Sequence, residues 1–266
     1  MFVLQEAQFR AIEQELKLEF ENRAWLHLQR WSPQHCALLG EKQMRQVIRY
    51  GWEKANRYGL SPECCVLSFL DLMCLLGGGF DVDPLLPWAA EILAEPAGID
   101  PVGRGDRLHE AAWKYMECAI RDYRDAQGKP VTENIVVLFR ELRAQPQAFL
   151  GRENFGTYSS ALENLISRYF PAKCACVGYD RLPEVAVAGA RKAREYGITS
   201  VRGSLFFGVL MFSLGRQFDD DPLLPWVPKL LRDPSITDPE QRVERLFTQG
   251  AAELRRWWDL SEKGTH

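Results

Sequence analysis

Apolar residues recur at steps of three and four along most of the chain. From Phe9 the set Phe9, Ile12, Leu16, Phe20, Ala24, Leu28 and Trp31 draws one stripe along a single long helix, which Pro33 closes. A second helical stretch, about 41–58, stops at Gly59, a residue free to take the left-handed backbone of a helix C-terminus. Ser61 and Pro62 then offer an N-cap and a first-turn residue for a third helix, which runs to Leu76 ahead of three glycines. A short fourth helix starts after Asp83-Pro84 or Leu86-Pro87, carries Trp88, Ile92 and Leu93, and ends before Pro96. Asp100-Pro101 opens the last. No alternating pattern of useful length occurs, so an all-α fold is expected.

The same pattern returns 138 residues later. Residues 58–88 align without a gap on residues 196–226, with about half the positions identical. Pro33, Cys36 and Gly40 fall on Pro171, Cys174 and Gly178, and Asp100, Pro101, Arg107 and Leu108 on Asp238, Pro239, Arg245 and Leu246. An internally duplicated domain of about five helices follows: one copy over 1–128, a connector over 129–138 with Lys129-Pro130 at its start, and a second copy over 139–266. Asp238-Pro239-Glu240-Gln241 has the spacing of a capping box. Gly203 and Gly208 stand in the helix where the first copy has Cys65 and Leu70. Each costs about 1 kcal/mol in helix propensity, so the second copy is expected to lean on the first.

Composition narrows the function. The 33 basic and 36 acidic residues leave a net charge of -3, too little positive charge for a nucleic-acid partner. The apolar runs 64–76 and 205–214 are short of the ~20 residues that cross a bilayer, so no membrane insertion is expected. Seven cysteines without a regular framework, and no secretory pattern at Met1–Glu15, point to the cytoplasm and to free thiols.

Candidate chemistry centres on a repeated loop, Phe80-Asp81-Val82-Asp83-Pro84-Leu85-Leu86-Pro87-Trp88 and Phe218-Asp219-Asp220-Asp221-Pro222-Leu223-Leu224-Pro225-Trp226. Its carboxylates lack the further ligands and the glycine of a calcium loop. One acid is expected to cap the next helix, with Phe and Trp anchoring the loop; the other reading is a partner-binding surface formed by Asp81, Asp83, Trp88, Asp219, Asp220, Asp221 and Trp226. Trp257 and Trp258, about 100° apart on one helix, add contact area, as does the cluster of Tyr50, Trp52 and Tyr58. His109-Glu110 meets Trp113 where a zinc-protease helix has its second histidine, and the cysteine spacings form no zinc pair. The glycine clusters lack the context of phosphate or dinucleotide loops, and no nucleophile elbow occurs. No catalytic, cofactor or metal residues are therefore assigned. Asp71, alone among apolar residues, calls for an arginine or backbone partner, and its counterpart is Val209.

The run from Tyr58-Gly59 through Leu72-Met73 to Phe80-Asp81-x-Asp83-Pro84-x-x-Pro87-Trp88, preceded by His27-Leu28 and Pro33, resembles a family of bacterial helical proteins of unassigned activity found near type VI secretion spikes, adaptors and toxins. The resemblance covers one copy and recurs more weakly in the second, where Val209, Gly203 and Gly208 depart from it. It implies a non-enzymatic interaction protein, an adaptor or chaperone-like accessory whose partner is a secreted effector, toxin or spike component. The alternatives are an immunity protein that covers a toxin's basic site with the acidic loops, and an enzyme or metal-binding protein that uses those loops.

Overall fold

The computed structural model describes residues 6–96, 100–119, 138–139, 142–143 and 157–263. The described residues form eleven α-helices and no strand, so the chain is all-α. The first half holds α1 (Glu6–Trp31), α2 (Pro33–Arg57), α3 (Glu63–Leu76), α4 (Pro87–Leu93) and α5 (Pro101–Ala119). The second holds α6 (Thr157–Tyr169), α7 (Pro171–Val177), α8 (Leu182–Glu195), α9 (Val201–Leu214), α10 (Trp226–Leu231) and α11 (Pro239–Lys263). Apart from Leu138, the expected connector lies outside the described residues. No helix of the described chain is long and apolar enough to cross a membrane.

The offset of 138 is visible in the backbone. Gly40, Gly59 and Gly77 have positive φ, and so do Gly178, Gly197 and Gly215. At Gly40 (φ 72°, ψ 165°) α2 breaks into a short segment and a long one, which correspond to α7 and α8 on either side of Gly178. A residue with a Cβ is strained in that conformation, which is why both breaks carry glycine.

Three features differ from the sequence reading. Among the described side chains of the α1 stripe, Phe20, Ala24 and Leu28 reach the core, while Ile12 and Leu16 towards the start of the helix and Trp31 at its end are exposed. Ser61 caps nothing: α3 begins at Glu63 behind Pro62 with no side-chain cap. In the second half Ser200, one residue further on by the offset, accepts the Gly203 N–H at 3.0 Å.

The glycines of α9 are also more than a propensity cost. A Cβ on Gly189 of α8 would lie 2.6 Å from the Cα of Gly208, so the two helices cross backbone against backbone. A Cβ on Gly208 itself would lie 2.5 Å from a methyl of Leu162. The positions matching Leu162 and Gly208 in the first half are Ala24 and Leu70, so large and small have changed places across one helix contact and volume is conserved.

Each half has its own apolar core, yet the cores trade one residue. Leu85, from the first half's loop, is buried in the second core among residues such as Val185 and Met211; Leu223, its counterpart, is buried in the first. The last helix of each half packs on both halves: α5 on α3 and α4 and also on α7, and α11 on α9 and α10 and also on α2.

Candidate functional site

The first acid of each loop is held inside its own half. Asp81 is 3% exposed, forms an ion pair with Lys54 and accepts the Tyr58 hydroxyl at 2.8 Å, while Lys54 also donates to the Gly78 carbonyl at 2.9 Å. Asp219 repeats the arrangement with Lys192 at 2.9 Å and Tyr196 at 2.8 Å. Burial, and then the hydrogen bond to Asp81, push the Tyr58 hydroxyl up to about 12, and Tyr196 is raised for the same reasons.

The second acid crosses between the halves. Asp83 Oδ1 accepts the Leu85 N–H at 2.9 Å, which tightens the loop, and Oδ2 accepts the Arg216 N–H at 3.0 Å, just past the end of α9. Asp221 does the reverse, taking the Leu223 N–H at 2.8 Å and the Gly78 N–H, just past the end of α3, at 2.7 Å. The neighbouring carbonyls follow suit: Arg181 donates to Pro84 O at 2.9 Å and Gln43 to Pro222 O at 2.8 Å. All of these pairs are related by the same offset of 138, so each loop is clasped by the other half in the same way. Contrary to the expectation from sequence, neither acid caps the following helix: α4 starts at Pro87 behind Leu86 without a side-chain cap, and the carboxylates serve turn and interface instead. Burial raises the pKa of Asp83 and Asp221, and the accepted N–H bonds oppose that rise.

Of the carboxylates singled out in the sequence, Asp220 is the exposed one, and it is ion-paired with Arg232. Trp88 is half-buried with its ring 6.3 Å from Tyr115, and Trp226 is half-buried against the second core. Trp257 stands edge-on to His35 at 6.0 Å, where α11 meets α2. The Trp258 side chain lies outside the described residues.

A different constellation opens on the far face of the first half. Asp71 is paired with an imidazole, that of His27, whose Nε2 lies 2.8 and 3.0 Å from its two oxygens. Burial raises the Asp71 pKa, while His27 and, more weakly, the charge of His109 pull it down. Arg23 grips Glu63 with two bonds of 2.8 and 2.9 Å, and Cys65 Sγ reaches Pro101 O at 3.4 Å. Trp31, Leu75 and Trp113 each lie one helical turn beyond His27, Asp71 and His109 along their helices. They are 43%, 39% and 54% exposed.

The second half has closed the equivalent cleft. His27, Ser68, Asp71 and His109 correspond to Leu165, Phe206, Val209 and Phe247, all buried. Phe206 stacks on Phe247 with centroids 3.9 Å apart, and Phe139 covers Phe206 edge-on at 4.9 Å. The chain matches no protein-family model, no curated protein and no solved structure. Among the described residues no three His, Cys, Asp or Glu side chains converge as a metal set.

Several of these residues carry no local motif: Lys54 and Lys192, Gln43 and Arg181, and the cleft histidines. Reading the 138-residue offset outward from the loop finds the first two pairs, and reading its polar-to-apolar differences finds the cleft.

A second histidine sits where the halves meet. The His35 Nδ1 lies 2.7 Å from Ser32 Oγ, and burial pushes its pKa down to about 4 from an ordinary 6.5. The depressed pKa means that neutral His35 contributes stability that is complete above pH 6.5 and is lost as pH falls toward 4. The stability difference between the natural protein and His35→Gln is expected to move against the natural protein by roughly 3 kcal/mol between pH 7 and pH 4. Urea unfolding of both across that range checks it, and a constant difference would contradict it.

Proposed function

We propose that the chain is a non-enzymatic protein–protein interaction protein built from two diverged copies of one helical unit. In this reading the second copy serves as a sealed support and the first presents the open cleft as contact face. Following the family resemblance, its role is that of a cytoplasmic adaptor or chaperone-like accessory for a type VI secretion effector. The observation that carries the reading is the exposure of Trp31, Leu75 and Trp113 in the half that keeps the polar pair His27–Asp71, set against Tyr169, Ser213 and Ala251 in the second half. Aromatic side chains exposed beside a polar recess are the composition of an interface core. An immunity role through the acidic loops is the alternative, and its surface contact would fall to the exposed Asp220, because Asp81, Asp83, Asp219 and Asp221 are buried and engaged within the chain.

The test is retention of a defined partner. Tagged protein purified from its own host is expected to hold a secretion-cluster product through a moderate salt wash. The Trp31→Ala/Trp113→Ala pair should lose it, with binding weakened at least about tenfold and the thermal midpoint nearly unchanged. Undiminished retention by the pair would place the contact elsewhere.

A further inference from the structure

The correspondence between the halves breaks at one place beside the clasp, and the break makes a cavity. Tyr50 of the first half lays its ring against Lys54, whose Nζ is 5.1 Å from the centroid, and the Lys54 side chain is only 8% exposed. The matching residue in the second half is Ala188. The ring is missing there, Lys192 is uncovered to 23%, and a cavity of about 290 Å³ opens, lined among others by Ala188, Arg191, Lys192, Glu195 and Arg216. A recess of about 30 Å³ adjoins it through Ala188, Met211 and Arg216 and adds Arg181, Glu184 and Asp83.

The other differences at this place run in both senses: Glu195 stands where the first half has Arg57 and Glu184 where it has Gln46, against three gains of positive charge. Arg216 stands where the first half has Gly78, Arg191 where it has Glu53, and Arg181 where it has Gln43. Lys192 is committed to Asp219 and, at 3.5 Å, to Glu195, and Arg181 donates to Pro84 O. Neither Arg191 nor Arg216 has an ion-pair partner among the described residues. Arg216 is anchored at its backbone, where Asp83 accepts its N–H, and its side chain lines the cavity.

We propose that this cavity is a binding site for a small phosphate monoester. Two guanidinium groups without a direct ion pair suit a dianion, and their planar donor forks match phosphoryl oxygens. The volume fits a compact organic group together with its phosphate. The site is separate from the cleft of the proposed contact face and belongs to one side of the clasp alone.

Titration calorimetry of the full chain with phenyl phosphate at low ionic strength tests the proposal, with benzoate as the monoanionic comparison. Saturable binding of one phenyl phosphate per chain is expected, about tenfold tighter than benzoate. Arg191→Gln and Arg216→Gln should each weaken it about tenfold, whereas Arg245→Gln, an exposed arginine outside the cavity lining, should leave it unchanged. Ala188→Tyr, which restores the ring of the first half, should abolish binding while every arginine is kept; if that chain fails to fold, the two glutamine variants decide. Absence of saturable binding, equal affinity for benzoate, or unchanged affinity in the glutamine variants would overturn the proposal.

Discussion

Alanine at Asp83 or Asp221 is expected to destabilise the protein by about 2–5 kcal/mol, a large effect for a position outside any helix. Each carboxylate accepts two backbone N–H groups, one in its own loop and one in the other half, and each is about 4% exposed. Removing it leaves two donors buried without a partner, at roughly 1–3 kcal/mol apiece. The space around the donors is also tight: a Cβ on Gly78 would lie 2.5 Å from Asp221 Oδ1, so no larger residue could stand at Gly78 without moving the loop. The double variant should cost clearly less than the sum of the singles, because both acids hold one interface and loosening it once removes part of what the second provides. Urea midpoints of the two singles and the double check this. A change below about 1 kcal/mol at both sites, or strict additivity, would mean that the loops are not a common clasp.

Arg104→Ala should be at least as costly, about 3–5 kcal/mol, and clearly worse than Arg242→Ala. Arg104 is 0% exposed, and its guanidinium donates to Glu95 O at 2.8 Å, to Pro96 O at 3.4 Å and to Tyr58 O. Those carbonyls follow the C-termini of α4 and α2, where helix dipoles place negative partial charge, and this offsets part of the cost of burying a cation. Arg242, at the same offset, makes a lighter set: Tyr196 O at 3.1 Å and Ile236 O at 2.8 Å, with the residue only half-buried. Truncating Arg104 leaves three part-buried acceptors without their donor and a cavity where a fully buried side chain stood, while truncating Arg242 lets water reach part of what it vacates. Denaturant unfolding of the two variants should rank them in that order, and the reverse ranking would contradict the burial argument.

Much of the helical frame was legible because it depends on local periods. The apolar steps marked the helices, and Gly59, Gly77 and Pro33 marked their ends, since only a glycine's freedom or a proline's missing N–H stops a helix so sharply. What periodicity could not supply was the identity of the facing surface. Ile12 and Leu16 continue the stripe of Phe20 and Leu28 in perfect step, yet they extend beyond the core, because a stripe records a face and not what meets it. The acidic loops show a similar ambiguity: an aspartate before a proline and a helix reads equally as a cap or as a turn that reaches across to another segment. Asp71 was recognisable as an acid in need of a partner, but His27, 44 residues away, is an ordinary helix residue until the fold sets it beside the carboxylate. Gly203 and Gly208 looked like defects on propensity alone, and their reason lies in Ile198 and Leu162, which occupy the space a side chain would need.

The central claim is that the two halves fold as one body, locked by crossing loops, exchanged leucines and last helices that pack on both halves. Scanning calorimetry of the full chain tests it directly. The account predicts a single transition with equal calorimetric and van't Hoff enthalpies, and in the Asp83→Ala/Asp221→Ala variant a separation into two transitions. Two well-separated transitions in the natural protein would contradict it, because the halves would then be neighbours that fold independently.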